Sequence, residues 1–528
     1  MADHMMFTDA RTLSPGQILE TDVCIVGAGA AGITLAKEFA GADFRVLLLE
    51  SGGMGFEHRT QWLYSGENSG RPYFSQEFTR RRQFGGTTVV WFGRCRPLDE
   101  MDFEARDWLP HSGWPFSKSQ LDPFYIRAQE IAQAGAYDYS SDPDPLKTAG
   151  LETKVIRFSP PLDFGETYRA DLERAGNIHV LLHANVVQIA LANEKNRVSH
   201  LDCAPLSRRP FRVVSKIVIL AAGGLENTRL LLASRDAQPD GIGNLHGLVG
   251  RYFMDHAYLF SAATTHVPES IPADYLKLDY ETQQSNLGVH KSIGFSQRFM
   301  QKERLLNASL YLVKRKGHKM DDRYYSKAAS DLVAFAEILQ HKARPSLSVL
   351  AAAGKALPRS SWLAGAALQA ARNKSKETSA YALRLQMETV PNPESRVTLS
   401  AKKDSVGIPR VDLHWKTTAQ DVENYVRFEQ LALAALQKMG FRLQRFQHEL
   451  DSDGWPVSMI GGKHHMGTTR MHTDPRQGVV DEHCRMHGVS NLFIAGGSVF
   501  PTSGMANPTL TIIALAVRLA DHIKQRLL

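Results

Sequence analysis

Cysteine is scarce in this chain. Cys24, Cys95, Cys203 and Cys484 are the only four in 528 residues, and no two form a CxxC pair. That excludes a cysteine-built zinc site, a dithiol redox motif and a disulfide-stapled secreted scaffold. Long apolar runs are missing too. The longest are Ile217 to Ala222, and Thr509 to Ala520 with Arg518 inside it. Both fall short of the roughly 20 residues that span a bilayer, so no transmembrane segment is expected. The first residues, MADHMMFTDARTLSPGQ, lack the charged start, apolar core and cleavage site of a signal peptide. A reduced, cytoplasmic location is the expectation. Basic residues are in only small excess, 62 Lys+Arg against 55 Asp+Glu for a net charge of +7. They are not interleaved with aromatics as in nucleic-acid-binding domains, so no nucleic-acid partner is expected.

What is present starts with a nucleotide-binding pattern. Val23, Ile25 and Val26 form a short apolar strand, as when both faces are buried. Gly27-Ala28-Gly29-Ala30-Ala31-Gly32 follows, then a helical spacing of Ile33, Leu35, Ala36 and Phe39. A second strand, Phe44 to Leu49, ends in Glu50. Gly27 permits the tight turn, Gly29 lets the backbone approach a pyrophosphate, and Gly32 allows close helix packing. The helix N-terminus offers free N–H groups to phosphate. An acid at position 50 suits ribose hydroxyls and disfavours a 2′-phosphate.

Further sheet-like sequence lies far downstream. Ile178 to Ile189 is β-rich, and Phe211 to Leu220 runs into Ala221-Ala222-Gly223-Gly224 and a helical LENTRLLLAS. Asn491 to Ala495 reads as a strand before Gly496-Gly497, and a last helix starts near Pro508. One sheet is therefore expected from three separated stretches. Between them, residues 100–170 read as loop-rich, with Trp108, Pro110, Trp114 and Pro115. Strand-like runs return over 259–320 and from Ser395 to Trp415, with a turn at Asp404 to Gly407. An Ala-rich helical segment over 326–376 is broken at Pro345 and Pro358.

The densest chemical cluster is Lys463-His464-His465-Met466-Gly467-Thr468-Thr469-Arg470-Met471. His464 or His465 is the best general base in the chain, because an imidazole accepts a proton near neutral pH. His464, His465, His472, His483 and His487 crowd this region, but not at HExxH or Cys/His zinc spacing, so no metal is expected. Asn507-Pro508-Thr509 has two readings. It is a good N-cap and helix start, and the same N-terminus suits an anionic ring. Gln83 to Pro97 carries Gly85-Gly86 and two threonines, either an ordinary tight turn or a loop against a planar ligand.

VGAGAAG with Glu50, the GGTTVVW loop, AAGGLENTRLLLAS, and HHMGTTRM with NLFIAGGSVFPTSGMANPTLT together resemble the glucose–methanol–choline (GMC) oxidoreductases. The order of elements extends the resemblance over nearly the whole chain. Within the family the likeness is to the pyranose oxidase, fructose dehydrogenase and glycoside 3-oxidase branch. The resemblance implies an α/β fold with a discontinuous Rossmann-like FAD-binding domain and a mixed-sheet substrate domain carrying a helical insertion. The FAD domain is expected over 15–99, 171–258 and 455–528. A cover loop and first part of the substrate domain fall at 100–170, and the rest at 259–454 with the basic insertion 326–376.

The resemblance also implies roles. His464 becomes the base and Asn507 its partner, as the substrate carbinol passes a hydride to flavin N5. FAD is expected on Gly27, Gly29, Ala31, Gly32, Glu50, Ser51, Gly86, Thr87, Thr88, Val187, Ala222, Gly223, Gly496, Gly497, Asn507, Pro508 and Thr509. Trp91, Phe92, His256 and His465 are expected in the substrate pocket. Val90 stands where some relatives carry a histidine bonded to FAD, so the cofactor is expected to be non-covalent. The expected substrate is a sugar or glycoside, with a non-sugar alcohol of a lipid or natural-product pathway as the alternative. Oxygen or a quinone or other electron carrier is the expected acceptor, leaving oxidase and dehydrogenase both open. A non-catalytic FAD-binding protein is the reading of a different class, and the His464–Asn507 pair argues against it.

The net charge is local. Lys342, Arg344, Lys355, Arg359, Arg372, Lys374 and Lys376 lie in a stretch, 341–376, that has no Asp or Glu. They equal the whole excess of +7. Two readings stand: a solvated amphipathic flap, or a docking surface for an anionic substrate, a partner or a membrane face.

Overall fold

The computed structural model describes residues 6–527 except 148–149, 161, 208, 277–287 and 315–379. The basic insertion read over 326–376 lies outside the described residues. Among those described, no helix is long and apolar enough to cross a membrane.

Two eight-stranded sheets and a three-stranded one organise the chain. In the first, the spatial order is Phe7–Asp9, Ile178–Leu182, Val46–Leu49, Ile18–Val26, Phe211–Leu220, Val198–Ala204 and Asn185–Leu191. Its first five strands pair in parallel. Parallel strands need covered faces, which explains the fully buried VLLL of Val46–Leu49. The far edge of Phe211–Leu220 is shared. Val198–Ala204 pairs with Phe211 to Val213, and Leu492–Ile494 pairs with Val218 to Leu220. N-terminal, middle and C-terminal stretches thus build one sheet, as expected.

Each element carries its own local cause. The nine-residue strand Ile18–Val26 is longer than the apolar run suggests, because only its C-terminal half is buried. The helix Ala30–Glu38 follows the glycine turn, with Gly29 as its N-cap and no side chain bonding its first N–H groups. The last helix, Thr509–Leu527, buries Leu510, Ile513, Ala514, Val517 and Ala520. That is the three- and four-residue spacing of an amphipathic helix.

The second sheet runs Arg442–Arg445, Ala257–His266, Ala380–Met387, Ala308–Lys314, Val289–Phe295, Leu151–Phe158 and Arg94–Cys95, with Ile460–Gly461 beside Ala257–His266. Where a mixed sheet is expected, these pairs are antiparallel. The parallel pair lies in the small sheet, where Pro409–His414 joins Glu67–Asn68. The helix Ala419–Lys438 packs its buried Tyr425, Phe428, Leu433 and Leu436 into the core of the second sheet. Thr418 and Asp421 close its first turn as a reciprocal capping box.

The 100–170 stretch is more ordered than its Pro and Trp content suggests. It holds the helix Lys118–Ile131, the strand Leu151–Phe158 and the start of the helix Phe164–Arg174. A capping box of Ser117 and Gln120 starts the first of these. Pro123 sits inside it on the exposed face, where water serves the carbonyl it leaves unpaired. Deeper in, Arg106 makes a bidentate ion pair with Glu388, at 2.8 and 2.6 Å, with side chains 1% and 0% exposed. Asn307 N donates to the same carboxylate at 3.1 Å. Burial, with the Glu388 and Asp99 charges, pushes the adjacent Asp102 carboxyl upward.

Candidate active site

One cavity of about 620 Å³ joins the nucleotide-type turns to the histidine cluster. Gly27, Gly29, Ala31, Glu50, Ser51, Gly86, Thr87, Thr88, Ala222, Gly223, Gly496, Gly497, Asn507, Pro508 and Thr509 line it, as do Val90, Trp91, Phe92, His464 and His465. Most residues expected at the site are therefore brought together.

Three are not in the lining. Gly32 packs instead: a Cβ there would sit 1.8 Å from the Gly27 carbonyl oxygen, so only glycine lets the helix meet the turn. Val187 falls at an irregularity where the ladder steps from Val186 to Gln188. Val186 faces the cavity in its place. His256 is 0% exposed, and its ring meets His464 outside the cavity lining.

The turn end suits a dinucleotide. Gly27 takes φ +107, where a Cβ would collide with Ala221 O at 2.7 Å. A Cβ at Gly223 or Gly496 would meet nothing within 4 Å, and both residues line the cavity, so the backbone there leaves room for a flat ligand. Glu50 accepts from Ala28 N at 3.0 Å and Gly52 N at 2.7 Å, which holds its carboxylate at the cavity wall. Oε1 also accepts from Ser51 Oγ at 3.4 Å, and Oε2 keeps a lone pair for a ribose hydroxyl.

A charged cluster backs this end. Arg80 and Arg82 both stack on Tyr64 at 4.2 Å. Arg82 reaches Ser51 Oγ at 3.1 Å and Glu226 at 2.7 Å. Arg229 bridges Glu226 and Asp404. Burial alone would raise the Glu226 carboxyl, but Arg229, Arg82 and Arg80 hold it down at about 2. The sequence signal for this group is only the run Arg80-Arg81-Arg82 ahead of the Gly85-Gly86 turn.

At the other end, His464 Nε2 lies 3.1 Å from Asn507 Nδ2, and His464 Nδ1 lies 2.8 Å from His256 Nδ1. The backbone N–H of Lys463, His464 and His256 all donate to Asp255, at 2.9, 2.8 and 2.8 Å, and Tyr73 donates its hydroxyl to it. One carboxylate thus pins both histidine main chains. Burial pushes that carboxyl up to about 6. Lys463 takes φ +62, an uncommon conformation for a side-chain-bearing residue, at the turn that presents His464. Burial lowers His464 well below the ordinary histidine range, with His256, His465 and Arg94 adding to the shift. The imidazole is neutral and able to accept a proton. Tyr258, Arg94, Arg384 and Lys463 line the same end. Among the described residues, no cluster of side chains is suited to hold a metal ion.

Residues 391–516 match the family model for GMC oxidoreductases. The chain is 28% identical over 352 residues to the fructose dehydrogenase large subunit of Gluconobacter japonicus, covering 64% of this chain and 53% of that one. The chain thus spans about half the length of that relative. It is 24% identical to 2-methyl-1,2-propanediol dehydrogenase of Mycolicibacterium austroafricanum, over 96% of each. Pyridoxine 4-oxidase from Mesorbium loti shares the fold with a TM-score of 0.56 at 17% identity, over 95% of this chain and 98% of that one. Family match, full-length relatives and shared fold point the same way: the chain is similar to the GMC oxidoreductases, whose family model its residues 391–516 match.

Proposed function

We propose that the chain oxidises a CH–OH group to a carbonyl with FAD, its substrate a sugar or glycoside. The observation that carries this reading is the His464–Asn507 pair, set in the same cavity as the dinucleotide turns. The helix N-terminus at Ala30 would face the pyrophosphate, and Glu50 the ribose. When bound, FAD supplies the two-electron acceptor for the carbinol hydride. His464 Nε2 takes the hydroxyl proton as the carbonyl forms, and the Asn507 amide donates to the same oxygen and fixes its place. Trp91 and Phe92 line the same cavity.

Anaerobic mixing with sugars, glycosides, and aliphatic and aromatic alcohols tests this, read by bleaching of the flavin absorbance. Bleaching by sugars supports the reading. Bleaching only by non-sugar alcohols favours the second reading, for which the full-length similarity to 2-methyl-1,2-propanediol dehydrogenase speaks. No bleaching by any of them points to a non-catalytic FAD-binding protein. Air and a quinone, offered to the reduced enzyme, separate oxidase from dehydrogenase.

Two further expectations belong here. Val90 lines the cavity and offers no nucleophile, so acid precipitation should release the flavin into the supernatant. Flavin retained on the precipitate would refute non-covalent binding. The second is a pH profile. His464 acts neutral, and its lowered pKa keeps it neutral below the usual histidine range. The anaerobic reduction rate should stay level from pH 8 through about 6.5 and fall only at lower pH. A midpoint at or above 6.5 would contradict this.

The first sheet and its flanking helices we assign to FAD, and the second sheet to substrate, with 15–99, 171–258 and 455–528 against 100–170 and 259–454 as the division. Four buried free thiols fit a reduced, cytoplasmic compartment.

A further inference from the structure

The hydrogen bonds around His464 have a direction that can be worked out from groups with no choice of role. Backbone carbonyls only accept. His256 Nε2 lies 2.9 Å from Gly504 O, so that nitrogen carries a hydrogen. A neutral imidazole has one N–H, so His256 Nδ1 is an acceptor. Its partner at 2.8 Å is His464 Nδ1, which must then be the donor. His464 is left with a bare lone pair on Nε2.

The other side of the site gives the same answer, and it meets the first where Gln386 Nε2 lies 3.5 Å from His256 Nδ1. Gln386 Nε2 lies 2.6 Å from Met505 O, so it is the amide nitrogen that faces this way. Its oxygen accepts from Tyr258 at 2.6 Å and from Tyr311 at 3.2 Å. Gln386 Nε2 also reaches Asn507 Oδ1 at 3.3 Å, which turns the Asn507 NH₂ toward His464. That NH₂ can only donate, so His464 Nε2 must accept. Two chains, ended by the carbonyls of Gly504 and Met505, require one tautomer at His464.

We infer that His256, held by the Gly504 carbonyl, is a positioning residue that locks His464 in the Nδ1–H tautomer and so keeps its Nε2 lone pair facing the cavity. This rests on the reading of His464 as the base. In the opposite tautomer, Nε2 carries a hydrogen and has nothing with which to take the substrate proton. It would also face the Asn507 NH₂ donor to donor. His256 is suited to the task because it stays uncharged, burial pushing it down to about 4. It therefore remains an acceptor at Nδ1.

Nitrogen-15 spectra of holoenzyme labelled at histidine test this, with the His464 signals found by their loss in His464→Gln. The expected spectrum has His464 protonated at Nδ1 and bare at Nε2. A spectrum with Nε2 protonated overturns the proposal. His256→Leu removes the acceptor. It should let His464 shift toward the Nε2–H form and slow anaerobic flavin reduction about 100-fold, with KM changed less than about threefold and FAD content kept. His256→Gln, whose amide can accept from His464 and donate to Gly504, should stay within about tenfold of the parent. A leucine variant with the parent's tautomer and rate overturns the proposal, as does a glutamine variant no better than leucine. If the leucine variant fails to accumulate, the spectrum of the unaltered enzyme decides alone. If His464→Ala still reduces normally, the base assignment fails, while the spectrum still judges the tautomer.

Discussion

His464→Ala should keep its yellow FAD and lose flavin reduction by about 1,000-fold, which is roughly 4 kcal/mol of barrier. Most of the cofactor's expected contacts lie at the turns and at Glu50, away from this substitution, and Asn507 is the expected contact that His464 bonds. What disappears is the ring nitrogen held against the Asn507 amide. Stopped-flow reduction under anaerobic substrate reads the loss, and the flavin spectrum reads retention. KM should change much less than the rate, since a proton acceptor acts mainly in the transition state. A variant that reduces at the parent's rate would move the role to His465. That ring also lines the cavity and is likewise held neutral by burial.

Arg106→Ala should lower stability by about 3–5 kcal/mol. The Glu388 carboxyl, 0% exposed, would lose both guanidinium bonds. Replacing both partners, as Arg106→Met with Glu388→Leu, should cost far less, because no buried charge is left alone. Thermal unfolding of FAD-saturated protein compares the two. Equal losses in single and double variants would show that the pair acts through packing rather than charge. Glu388 is two residues beyond Gln386, so the single variant should also slow the flavin, whereas a distant destabilising change should not.

The opening βαβ unit was legible because its causes are local: a glycine turn, a helical spacing and an acid at a strand end. The strand Phe211–Leu220 and the hairpin around Asp404 to Gly407 showed the same way. Partners across the chain did not. The order of the second sheet depends on antiparallel pairings between segments as far apart as Leu151–Phe158 and Val289–Phe295. The helix Lys118–Ile131 was masked by Pro123, whose cost falls on its exposed face. Arg80 and Arg82 look like a solvated charge run. They are buried because Glu226, from a distant helix, neutralises them. His256 was placed in the pocket, but only the folded register puts its ring against His464, outside the cavity lining.

The shared edge of Phe211–Leu220 has a consequence for biosynthesis. Its C-terminal half is completed by Leu492–Ile494, and the cavity by Gly496, Gly497 and Asn507, all synthesised long after the strand they join. A nascent chain can form the glycine turn early but not the wall opposite it. Such pairings, distant in sequence, form late because the loop between them must close first. The nucleotide-type cleft therefore stays open on one side until residues 492–509 have docked.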